Sequence, residues 1–140
     1  MSKYAFVTGG SRGIGRAVCV KLAQMGFCVI VNYVSNDAAA KETIRLIEEV
    51  GGRGELLKFD VADTDASVKA ITGWQESHPD NYVEVLVNNA GVRKDNLLLW
   101  LEPEDWFKVV STDLNSFYNV TRPFLQPMVS HRNGRIINMA

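Results

Sequence analysis

The stretch from Tyr4 to Val18, Tyr-Ala-Phe-Val-Thr-Gly-Gly-Ser-Arg-Gly-Ile-Gly-Arg-Ala-Val, constrains the chain more than any other. Its apolar opening, Tyr4 to Val7, reads as a strand, and Arg16 to Met25 keeps apolar side chains at Ala17, Val20, Leu22, Ala23 and Met25, as a helix does. Gly26 ends that helix as a C′ glycine would. Phe27-Cys-Val-Ile-Val31 is a continuous apolar run, as expected of a parallel strand buried on both faces. The unit is βαβ, with a glycine-rich turn at its first bend. The first N–H groups of a helix have no internal partner and point out of its N-terminus with the positive end of the dipole. An anionic phosphate satisfies them. In this turn Gly9 can take the sharp bend off the strand, Gly13 admits main chain close to a pyrophosphate, and Gly15 lets the helix lie against the strand. The spacing is Gly-x-x-x-Gly-x-Gly, which also suits an ordinary strand-to-helix loop, so the reading depends on context.

That context repeats along the chain. Asn32 to Asp37 is polar and turn-like, and a helix is predicted from Asp37 to Val50, stopped by Gly51-Gly52. A third strand follows from Glu55 to Val61, then Asp63-Thr-Asp65 as capping chemistry for a helix to about Ser77, closed by Pro79. Val83 to Val87 is a fourth strand that delivers Asn88-Asn-Ala-Gly91 at its end. Residues 92–101 are a loop. Glu102-Pro-Glu-Asp105 opens the longest helix, to about Val129, with Trp106, Val109, Val110, Leu114, Phe117 and Val120 recurring as core or subunit interface. Pro123 and Pro127 are expected to kink or fray its last turns. Gly134 to Ala140 is a fifth strand. Five strands alternating with helices make a doubly wound parallel sheet, the Rossmann arrangement, with expected order 3-2-1-4-5. Ligands of such sheets sit outside the carboxyl ends of the strands, where the order reverses between strands 1 and 4.

Composition narrows the partners. The chain has 140 residues and a net charge of −1, one domain's worth with no general pull toward nucleic acid or an acidic membrane. No apolar run reaches the ~18 residues of a membrane span and no signal segment opens the chain, so a cytoplasmic protein is expected. Cys19 and Cys28 fall inside regular elements and read as small buried hydrophobes. His78 and His131 are far apart and outside any ligand-spaced motif, so no metal site is expected.

Thr8-Gly-Gly-Ser-Arg-Gly-Ile-Gly15, Asp60-Val61 and Asn88-Asn-Ala-Gly91, in this order and spacing, resemble the short-chain dehydrogenases/reductases. Gly91-Val-Arg-Lys-Asp-Asn-Leu-Leu98 and Gly134-Arg-Ile-Ile137 resemble the branch that reduces 3-oxoacyl groups on acyl carrier protein, with acetoacetyl-CoA reductases nearby. The resemblance spans all 140 residues. It implies a dinucleotide diphosphate on Gly9, Gly10, Ser11, Arg12, Gly13, Ile14 and Gly15, adenine against Asp60 and Val61, and the nicotinamide-side ribose near Asn89, Ala90 and Gly91. Asp60 could equally be a capping aspartate, and Asn88 could simply tie backbone between strands. An acid at the end of the second strand would repel a 2′-phosphate, but that end reads Asn32-Tyr33. With Arg12 as a partner for the phosphate and Ser35 able to donate, NADP(H) is favoured; a solvated Arg12 is the alternative.

The family's chemistry is hydride transfer assisted by a tyrosine acid, a lysine four residues later and a serine. None of the three can be assigned, because the serine normally follows the fifth strand at once and Tyr4, Tyr33, Tyr82 and Tyr118 lack the lysine. The family's fourth catalytic residue, an asparagine, falls at Asp113, where an aspartate either keeps a main-chain role or is a tolerated isostere. Ile136 and Ile137 face opposite sides of a strand whose covering helix is not in the chain, so a C-terminally incomplete domain is expected, with a second covering chain as the rival. The resemblance implies an NADPH-dependent reductase of 3-oxoacyl thioesters in fatty-acid synthesis, a homotetramer when full length, with Arg132 a candidate contact for acyl carrier protein or merely a solvated helix end. The 140 residues alone are expected to bind nucleotide poorly and turn over nothing. Open alternatives are an acetoacetyl-CoA, sugar or steroid reductase and a nucleotide-binding module without catalysis.

Overall fold

The computed structural model describes residues 2–91 and 98–139. The elements run β1 Tyr4–Val7, α1 Gly13–Gln24, β2 Cys28–Tyr33, α2 Asp37–Glu49, β3 Arg53–Lys58, α3 Thr64–Ser77, β4 Val83–Asn88, α4 Pro103–Val110, α5 Ser116–His131 and β5 Arg135–Asn138. The strands form one parallel sheet in the order β3-β2-β1-β4-β5, the order read from the sequence.

Alternation along the strands divides the core into two layers. Phe6, Ile30 and Leu86 stand in one register row and pack toward α3 and α5 with Trp74, Val120 and Phe124. Val7, Val29, Val31 and Val87 face the other way and meet Cys19, Leu22 and Ile47 of α1 and α2. Each such fully buried side chain contributes about 1.5–3 kcal/mol. Ile136 and Ile137 extend these rows onto β5, yet every residue of β5 is exposed among the described residues.

Several boundaries differ from the sequence reading. β2 continues through Asn32 and Tyr33, which are strand and not turn, because both are buried and β3 pairs with them. The register Cys28↔Arg53 to Tyr33↔Lys58 starts β3 two residues before the expected Glu55 and releases Phe59, Asp60 and Val61 from the ladder. The long helix changes hydrogen-bonding pattern at a turn of π-helix, Ser111–Asn115, between α4 and α5. Pro123 and Pro127 do not end α5, which runs on to His131. Of the apolar positions read along it as core or subunit interface, Val120 is in the core, while Trp106, Leu114 and Phe117 are exposed. Within the expected loop 92–101, Leu98–Trp100 forms a 3₁₀ turn and residues 92–97 lie outside the described residues.

Candidate dinucleotide site

The glycine turn is built by conformations and contacts that glycine alone satisfies. Gly9 and Gly13 have φ of 62° and 57°, in the left-handed region. A Cβ on Gly15 would collide with the Gly9 carbonyl and come within 2.6 Å of Asn89 Nδ2, so α1 can start against the turn only without a side chain there. Gly10 is equally confined, by Cys19 and Val31. Among the described residues the N–H groups of Ser11, Arg12, Gly13, Ile14 and Gly15 find no acceptor, and no side chain caps α1. Its first turn carries no acid, so the positive helix end is not neutralised. Arg12 is exposed and makes no ion pair or hydrogen bond with its side chain among the described residues.

Thr8, which the sequence reading left without a role, holds this turn to the end of β4. Its Oγ1 accepts the N–H groups of Asn89 and Ala90, each at 2.9 Å, while Asn89 Nδ2 donates to the Gly9 carbonyl at 3.2 Å. The signal was present as a threonine between strand and glycine, but its partners lie some eighty residues away. Asn88 donates to Thr121 Oγ1 at 3.1 Å and to Asn138 Oδ1 at 3.0 Å, tying β4 to α5 and β5.

Arg16 and Thr43 are a second unforeseen pair. The Arg16 guanidinium donates to the carbonyls of Ser11 at 2.7 Å and Ala39 at 3.0 Å and to Thr43 Oγ1 at 3.1 Å, and Thr43 Oγ1 donates to the Gly10 carbonyl at 3.0 Å. The turn is therefore pinned to α2 as well as to β4.

Asn32 is 1% exposed and fully engaged: Oδ1 accepts from Gly9 N, and Nδ2 donates to the carbonyls of Leu57 and Phe59. Tyr33 donates its hydroxyl to Asp37 Oδ1 at 2.8 Å, and Ser35 is exposed. Asp60, also exposed, accepts the Ala62 N–H at 2.9 Å, the geometry of a turn-capping aspartate. Val61 is buried, with its carbonyl accepting from Asn119 Nδ2 at 3.0 Å.

At the carboxyl ends of β4 and β5, beside the start of α1, lies a cleft of about 690 Å³, lined by Ile14, Asn89, Ala90, Gly91, Asp113 and Phe117 among others. The π turn sets Asp113 over Gly91, where an added Cβ would lie 3.0 Å from Asp113 Oδ1. The structure thus gathers Ile14, Asn89, Ala90, Gly91 and Asp113 around one space, while Asp60 and Val61 stand outside it beyond β3. Arg132 is placed elsewhere: it caps α5 with φ 51° immediately before β5, at the amino end of the sheet.

A fold of this order, with a glycine turn off β1 and a cleft beside it, defines an α/β nucleotide-binding architecture. A family model described as short chain dehydrogenase matches residues 3–140, and the chain belongs to that family. It is 38% identical over 138 residues to a 3-oxoacyl-[acyl-carrier-protein] reductase of Aggregatibacter actinomycetemcomitans, covering 98% of this chain and 56% of that protein. It is 39% identical over 140 residues to an acetoacetyl-CoA reductase of Paracoccus denitrificans, covering all of this chain and 55% of that one. The crystal structure of a metagenomic short-chain oxidoreductase in complex with NADP superposes with a TM-score of 0.87 at 33% identity, over 97% of this chain and 61% of that one. The chain thus spans little more than half the length of the curated relatives it matches.

Proposed function

We propose that this chain is the NADP(H)-binding domain of a reductase that converts a 3-oxoacyl thioester, carried on acyl carrier protein, to the 3-hydroxyacyl form in fatty-acid synthesis. The observation that carries the reading is the run of unpaired N–H groups from Ser11 to Gly15 at the uncapped positive end of α1, beside the cleft at the end of β4. A diphosphate suits those donors, and nothing lies within 4 Å of where a side chain on Gly13 would begin. Gly9, Gly10 and Ile14 complete that turn, with Arg12 free to meet a further phosphate. Asn89, Ala90 and Gly91 lie where the nicotinamide-side ribose would reach, and Asp60 with Val61 flank the adenine.

NADPH, when bound, supplies a hydride to the carbonyl carbon, and a proton completes the alcohol. This chain's residues bind and orient: α1 neutralises the diphosphate, the Thr8 clamp fixes the Asn89–Gly91 edge, and Asp113 holds the cleft over Gly91. The family's Tyr, Lys and Ser acid-base group is not assigned among these 140 residues, whose part in the reaction is to bind and orient the nucleotide. The exposed apolar side chains of α4 and α5, with Trp106, Phe107 and Phe117, suit a tetramer interface of a cytoplasmic enzyme. No helix among the described residues is long and apolar enough to cross a membrane.

The relatives' names favour two acyl carriers, acyl carrier protein and coenzyme A. Assay of the full-length gene product with acetoacetyl-CoA and NADPH tests the reading: oxidation of NADPH is expected, and intact protein that neither takes up nor oxidises NADPH overturns it.

A further inference from the structure

Resting on the dinucleotide reading above, we propose that Lys58, at the end of β3, sets cofactor choice by cancelling the charge of Asp37. The acid that was sought at the end of β2 is not absent; it stands four residues further on, in the first turn of α2. Two sets of bonds place it beside the glycine turn. Gly10 N donates to the Asn32 carbonyl at 2.9 Å, which puts Tyr33 next to the turn. The Arg16 guanidinium joins the Ser11 and Ala39 carbonyls, which ties the turn to the first turn of α2, where Asp37 lies. An acid some twenty residues beyond a glycine turn is the one that bonds the adenosine ribose in dinucleotide folds, and it repels a 2′-phosphate.

Here that carboxylate is already engaged. Asp37 Oδ1 accepts the Tyr33 hydroxyl at 2.8 Å and Lys58 Nζ at 3.2 Å, and Lys58 Nζ stands 5.9 Å from the centre of the Tyr33 ring. The hydrogen bonds from Tyr33 and Lys58 hold the Asp37 carboxyl below the usual carboxylate range, and Lys41 on the same helix adds in the same direction, so the group is ionised. The register pairs Tyr33 with Lys58 directly across β2 and β3, so the lysine is delivered by the sheet and not by local sequence. An ion pair this exposed adds little to folding, and what it changes is the local field.

The test is fluorescence titration of the full-length gene product with NADPH and with NADH, for the unaltered protein, Lys58→Met, Asp37→Asn and the double variant. The unaltered protein is expected to prefer NADPH. Lys58→Met lowers that preference by about tenfold, as expected when one unit charge is uncovered at this range, and Asp37→Asn in the same chain restores most of it. Asp37→Asn alone leaves the preference for NADPH intact or raises it. A preference unchanged in Lys58→Met, a loss that Asp37→Asn does not restore, or an unaltered protein that prefers NADH each overturns the proposal while dinucleotide binding stands. Failure of the unaltered protein to bind either nucleotide removes the dinucleotide reading itself, and this one with it.

Discussion

Thr8 shows how a single hydroxyl can decide the geometry of a turn. It is 2% exposed and its Oγ1 is the acceptor for two main-chain N–H groups from the end of β4. Valine has the same shape without the oxygen, so Thr8→Val leaves both partly buried donors unpaired, at up to about 1–3 kcal/mol for each. The expected outcome is a fall in the urea midpoint that Thr8→Ser largely recovers; equal losses in both variants would mean that packing of the methyl, not the hydroxyl, is what matters. The glycines of the same turn were legible in the sequence because positive φ and close approach are demands that only one residue type meets. The threonine was not, since nothing local distinguishes a clamp from an ordinary strand-end residue.

Among the elements, α5 carries the clearest compensation. Pro127 has no N–H to give the Pro123 carbonyl one turn earlier, and Gln75 Nε2 from α3 donates to that carbonyl at 3.0 Å instead. The helix therefore passes through Pro127 where fraying was expected, because α3 supplies the donor missing there. Gln75→Ala is expected to cost about 1 kcal/mol in the native sequence. In a Pro127→Ala background the helix regains its own N–H, so the same change should cost close to nothing, and a double-mutant cycle by denaturation reads the coupling directly. A coupling of zero would show that the Gln75 bond is incidental. α4 and the π turn were hidden in one long helical pattern, since period alone does not reveal where hydrogen bonding shifts or which apolar face goes uncovered.

Taken whole, the molecule is two core layers on one parallel sheet, and its stability should register what is sealed between them. Burial pushes the Cys19 thiol up to about 12 from an ordinary value of 9.0. Below pH 9 the thiol is neutral whether the chain is folded or not, and its contribution is fully present. Between pH 9 and 12 the unfolded chain releases the proton while the folded chain holds it, so stability falls by about 1.4 kcal/mol per pH unit. Urea denaturation at pH 8 and pH 10.5 should therefore show a steeper loss for the native protein than for Cys19→Ala, whereas parallel losses would place the alkaline sensitivity in other groups. The succession of strands and helices and the glycine turn were determined by the sequence alone, because strand and helix periods, capping and positive φ are all settled within a few residues, and the sheet order followed from the doubly wound rule for parallel crossovers. Which side chains close the site was decided by the tertiary structure: Thr8 on Asn89, Asn32 on Gly9 and Lys58 on Asp37 meet only once the register of parallel strands has brought distant segments side by side, and no local pattern encodes that separation.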